Sequence, residues 1–147
     1  MRKELYNMLC QRLKTVGEGA IRHIDLWNNN VDFIEQEEAW ERPAVFIEFM
    51  PIKWAVVKGG EYRAEPEVRL HVVTDWQGSA ADGSAFKDES LEVFDLSQQI
   101  HEAVSGMAGA TFRRFDLKET LTNHNHEEIL ENIEVYQCVA TRKILSA

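Results

Sequence analysis

Residues 86–107 read FKDESLEVFDLSQQIHEAVSGM. At 100° per residue, Phe86, Val93, Leu96, Ile100, Ala103, Val104 and Met107 fall within an arc of roughly 100°, the width of a core-facing helical stripe. Lys87, Asp88, Glu92, Gln98, Gln99 and Glu102 take most of the other side. Leu91 and Phe94 lie off the stripe, so the helix is expected to touch more than one neighbour. Ser84 is a candidate N-cap, Asp88 and Glu89 place negative charge in the first turn, and Gly106 and Gly109 offer left-handed stops. No side chain on this helix points to catalysis.

Strand patterns flank it on both sides. Upstream, residues 62–74 alternate Val68, Leu70 and Val72 with Glu67, Arg69 and His71, the pattern of a half-buried antiparallel strand. His71 falls on the polar side and is given no metal role. Residues 75–84, DWQGSAADGS, form a turn-rich lead into the helix and lack the Lys-Ser/Thr ending of a phosphate loop. Earlier, AVFIEFM at 44–50 puts Val45, Ile47 and Phe49 on one face and Ala44, Phe46, Glu48 and Met50 on the other. A strand that is largely apolar on both faces needs cover on both. Residues 52–58 continue extended to a Gly59-Gly60 turn. Residues 21–27 read as a short strand in which His23 is a surface residue. The segment 31–42 is ambiguous, with Trp40 as a peg against the core. Residues 2–16 form a first helix on Leu5, Met8, Leu9, Leu13 and Val16, ended by Gly17 and Gly19. Its polar side carries Arg2, Lys3, Arg12 and Lys14 against Glu4 and is locally basic, which fits a plain solvated face or, as the sharper reading, a docking surface for an acidic neighbour.

Downstream, residues 111–122 form a third strand and 130–141 a fourth. In the fourth, Ile133, Val135 and Val139 oppose Tyr136, Cys138 and Ala140. The residues thus predict an α+β fold with two main helices and four strands, in a single domain over 1–147.

Composition narrows the function classes. The chain has 147 residues, 44% hydrophobic and 28% charged, which suits one globular domain. A net charge of −9 repels a phosphate backbone, so no specific nucleic-acid binding is expected; Arg113-Arg114 is too small a patch to reverse that. No apolar run approaches the ~20 residues of a membrane span, and Asn7, Gln11 and Arg12 break any signal region. Cys10 and Cys138 stand in no metal or redox spacing and are expected as free thiols.

The best metal candidate is His124-x-His126 with Glu127 and Glu128 beside it, because residues two apart on a strand share a face. Two imidazoles are not a complete ligand set, and a polar run between two strands is also an ordinary turn. No serine or cysteine sits in a nucleophile elbow. The expectation is no catalytic residues, no cofactor and no metal.

RPAVFIEF at 42–49 resembles the first sheet strand of small tail-terminator and minor-tail proteins of tailed bacteriophages. TLTNHNHEEILENIEVYQCVAT at 120–141 is similar to that family's closing hairpin, a polar His-rich turn before a strand ending in an aromatic-x-Cys step. The likeness runs over roughly residues 5–141, mostly as element order. It implies a mixed or antiparallel sheet carrying the helices on one face. It also implies a homo-oligomeric ring, a hexamer on the family's example, at the head-proximal end of the tail tube, whose partners are its own copies, the tube protein and a head-completion or neck protein. Such a protein is a structural component of the virion tail, assembled in the bacterial host cytoplasm, and not an enzyme. The acidic insertion around Glu35, Glu37, Glu38 and Glu41 departs from the commoner family pattern. The alternatives are a head-completion or neck protein and, in a different class, a small metal-dependent enzyme or ligand-binding domain using His124 and His126.

Overall fold

The structure, a computed structural model, describes residues 1–28, 40–124 and 129–143. Helix α1 spans Arg2–Leu13 and is followed by a 3₁₀ turn at Val16–Glu18. Strands β1 (His23–Leu26), β2 (Ala44–Phe49), β3 (Ala55–Lys58), β4 (Glu61–Ala64) and β5 (Glu67–Asp75) come next. Helix α2 (Lys87–Val104), β6 (Phe112–Asn123) and β7 (Ile129–Lys143) complete the chain.

The expected α+β class holds, but the sheet has seven described strands, not four. β7 is the hub. One edge pairs with β6 throughout. The other pairs first with β5 and then, past the break at Glu65-Pro66, with β4. β2 continues outward from β5 and β3 from β4. β1 joins β2 in parallel and every other pairing is antiparallel, so the sheet is mixed. The single strand region read over 62–74 is thus two strands laid end to end along β7. Proline removes a ladder donor, which places the interruption at Pro66.

Both helices pack on one face. Leu5, Leu9 and Leu13 of α1 and Ile100 and Val104 of α2 meet Val45, Ile47, Val68, Leu70, Val72, Phe115 and Tyr136 in one core cluster. Ile100 is fully buried there. Tyr136 stacks on Phe115 with ring centroids 4.6 Å apart, and its hydroxyl shares a 3.0 Å hydrogen bond with His101 Nδ1. That bond satisfies the polar end of an otherwise apolar ring. Phe86, read as the first residue of the stripe, is instead 53% exposed. It precedes the first helical turn with non-helical backbone, so the 100° rule does not reach it. Ser84 accepts a hydrogen bond from the Phe86 N–H two residues on, which makes a turn ahead of the helix and not its cap. Leu91 and Phe94, off the stripe, face outward, and Phe94 is 60% exposed.

Glu4 ties α1 to the segment after α2. Its carboxylate accepts from the Ala110 N–H, the Thr111 N–H and the Thr111 hydroxyl at 3.1, 2.9 and 2.8 Å. Gly109 permits this approach, because a Cβ there would lie 2.6 Å from Glu4 Oε1 and 2.8 Å from Phe112 Cε1. Gly106 is left-handed as expected (φ +75), whereas Gly109 is not among the positive-φ glycines.

Candidate assembly surfaces

The patterns of β2 and β7 require cover on the second face of the sheet, over Phe46, Val135 and their neighbours. The chain covers it itself. Phe46, Val73 and Val135 are buried, and Trp27 and Trp40 pack on the small cluster formed by Ala44, Phe46, Val73 and Ile129. Trp40 meets Phe46 edge-on at 4.8 Å, the peg anticipated from sequence, and His23 stacks against Trp40 at 6.2 Å.

Beside that cluster lies a buried polar network. His71, read as a polar-side residue, is only 4% exposed. Its Nδ1 lies 2.6 Å from Glu131 Oε2 and its Nε2 2.8 Å from Glu48 Oε1, while Asn123 Nδ2 donates to Glu131 Oε1 at 2.9 Å. The ring of Trp27 closes the network from above. The imidazole bridges the two carboxylates, one at each ring nitrogen. The carboxylates sit on opposite edges of the ring, so the three groups share no point at which an ion could be held. Among the described residues, no three ligand-type side chains converge on a metal position. His124 is exposed at the end of β6, and His126, Glu127 and Glu128 lie outside the described residues. Glu35, Glu37 and Glu38 lie outside them too, while Glu41 pairs with Arg22 at 3.0 Å.

Both cysteines are free. Burial pushes the Cys138 thiol up to about 11. The Tyr6 hydroxyl is held up at about 12, by burial first and then by Cys10. Neither shift activates a nucleophile, which requires a lowered thiol pKa.

Two grooves mark opposite ends of β7. The first, about 420 Å³, lies between the N-terminal half of α2 and the end of β5. Glu89, Glu92, Asp95 and Asp75 line it over an apolar floor of Val93, Leu96, Leu130 and Pro43. Arg42 enters it, bonded through Nε to Asp75 at 2.5 Å. The second, about 1180 Å³, is lined by Arg2, Lys3, Arg142 and Lys143 around Trp54, Ile52 and Phe49. From Leu130 to Arg142 the strand rises roughly 40 Å at about 3.3 Å per residue.

Two apolar surfaces are also open: Val56 (66% exposed) and Val57 on β3, and Phe86 just ahead of α2 with Phe94 on it. Sequence reasoning named Phe94 as off-stripe and α1 as basic. It did not pair α1 with the end of β7, because that juxtaposition is made by the sheet alone. No helix among the described residues is long and apolar enough to cross a membrane.

No family model matches the chain, and no curated protein does. Among solved structures, the fold is similar to that of a chain from the virion of a native gene transfer agent particle. The TM-score is 0.57 at 11% identity, and the match covers 93% of this chain and 94% of the other. At that identity the likeness is one of fold.

Proposed function

We propose that this chain is a structural protein of a phage or prophage virion and acts as a tail terminator. In this reading its copies close into a ring, six on the family's example, on the head-proximal end of the tail tube. The ring ends tube growth and meets the head-completion protein. The chain carries out no catalysis and needs no cofactor. It is assembled in the host cytoplasm and stays in the tail.

The observation that carries the virion reading is the end-to-end agreement in fold with a chain of a gene transfer agent virion, while the terminator role rests on the resemblance at 42–49 and 120–141. The agreement spans nearly all of both chains, so it concerns the whole architecture and not a shared motif. Two features of the surface support it. Val56 and Val57 on a short edge strand, Phe86 just ahead of α2 and Phe94 on it are apolar groups that assembly contacts would cover. An acidic body lets DNA pass a ring without adhering.

The test is deletion of the gene from the inducible phage or prophage that carries it. The proposal expects headless tails of uneven length beside unjoined heads. Tails of uniform length that still fail to join would place the protein at the neck. Normal infectious particles would remove it from the virion altogether.

A further inference from the structure

We infer that the two grooves at the ends of β7 are the two halves of one contact between copies of this chain, the basic groove of one copy seating on the acidic groove of the next. This deepens the ring reading by naming its surfaces, and rests on that reading for its biological role.

The acidic groove holds more than a cluster of carboxylates. Thr74, only 8% exposed, lines it with a buried Oγ1 that has no hydrogen-bond partner among the described residues, and neither has the buried Nη1 of Arg42. Unmet groups of this kind cost free energy unless a partner completes them. An occupant that complements the groove brings positive charge for Glu89, Glu92 and Asp95 and apolar surface for the floor, and the unmet Thr74 and Arg42 groups lie among the groove's lining residues. A basic side chain with a long aliphatic stem supplies both the charge and the apolar surface.

The other end of the same chain presents that chemistry. Arg2, Lys3, Arg142 and Lys143 are exposed, and none forms an ion pair within the described structure, as none does for Glu89, Glu92 or Asp95. Trp54 and Ile52 stand among these cations and match the apolar floor opposite. The two surfaces differ, so the contact is heterologous and repeats from copy to copy. It closes into a ring when each step turns by a fixed fraction of a circle. Both poles of every copy are then satisfied at once, which a foreign acidic or basic protein at one pole does not achieve.

The experiment is sedimentation of the full chain over rising concentration at low and high salt. The wild type is expected to gain mass with concentration at low salt and to lose that gain as salt screens the charges. A variant with Glu89→Lys, Glu92→Lys and Asp95→Lys, and another with Lys3→Glu, Arg142→Glu and Lys143→Glu, should each remain monomeric while keeping the wild-type melting profile. Mixed in equal amounts they should associate again, because each then offers the pole the other lacks. A wild type that stays monomeric up to about 1 mM, the range of the weakest specific contacts, overturns the inference. So does association of the separate variants at wild-type strength, or a mixture that remains monomeric. If association behaves as expected but gene deletion leaves particles normal, the surface assignment stands and the tail reading falls. The reverse pair of results removes the surfaces and leaves the tail reading.

Discussion

Trp27 lies flat on His71, with ring centroids 3.8 Å apart and planes 1° from parallel. The stack seals an imidazole held between Glu48 and Glu131 on the face of the sheet opposite the helices. Glu131 is only 1% exposed, and the imidazole is one of its hydrogen-bond partners. Removing the imidazole takes one hydrogen-bond partner each from Glu131 and Glu48, and His71→Ala is expected to destabilise the fold by about 3–5 kcal/mol. Glu131→Gln in the same background should recover part of that loss, giving a coupling of roughly 0.5–3 kcal/mol in a double-mutant cycle. Denaturant melts of the four proteins measure it, and strictly additive changes would count against the network.

Ile100 sits mid-stripe on α2 with no exposure, in the same cluster as Leu9 of α1 and Leu70 of β5. Ile100→Ala should cost about 2–5 kcal/mol, from lost transfer energy and the cavity left behind. A melting temperature unchanged within error would mean that α2 packs differently.

The helical periodicity was legible because α2 holds its stripe over 18 residues. β5 was legible because its alternation spans nine. Strands β3 and β4 have four residues each, too few for alternation to set them apart from the extended run at 52–58 and the region read over 62–74, while β1, read as a short strand over 21–27, was not counted in the sheet; hence four strands were read where seven stand. His71 was assigned to a polar face correctly, yet polarity in one strand says nothing of burial. Its partners come from β2 and β7, 23 and 60 residues away in the chain. The end grooves were invisible for the same reason. Arg2 and Arg142 line one groove because β7 returns past the start of α1, and Thr74 shares the other with Glu89 and Val93 of α2.

His124 and His126 offer a sharp test of the metal-enzyme alternative. Replacing both with Ala should leave the melting temperature unchanged, with or without a chelator, as expected for residues of a turn. Stoichiometric zinc or nickel in the purified protein, absent from the double variant, would revive a metal function.

Glu4 should contribute to the acid limb of stability. The Thr111 N–H and hydroxyl hold its carboxyl below the ordinary value of 4.5, with the Ala110 N–H and the N-terminus helping and burial opposing. A depressed carboxyl pKa contributes stability above the unfolded value and loses it as pH falls through the folded value. Glu4→Gln should therefore melt below the wild type at neutral pH, and the gap should narrow as the pH drops beneath 4.5. A gap that is constant across the acid range would show that the carboxylate charge contributes nothing to this joint.

Cys138 and Cys10 should separate cleanly by reactivity. Cys138 lies on the helix-facing side of β7 between Tyr136 and Ala140 and is 2% exposed, whereas Cys10 on α1 is half-buried. Burial lifts the Cys138 thiol from 9.0 to about 11, so the folded state holds its proton more tightly than the unfolded chain does. For a raised pKa the contribution to stability is complete below the unfolded value and disappears as pH rises through the folded one. A thiol reagent at neutral pH should thus modify Cys10 and leave Cys138 untouched until denaturant opens the core. Raising the pH toward 11 should speed the Cys138 reaction and erode native stability together. The Tyr6 hydroxyl, held at about 12 chiefly by burial, adds to the same alkaline loss at its upper end. Mass spectrometry after timed labelling reads both sites separately. Equal labelling of the two cysteines in the native protein at neutral pH would place Cys138 outside the core and undo the register of β7.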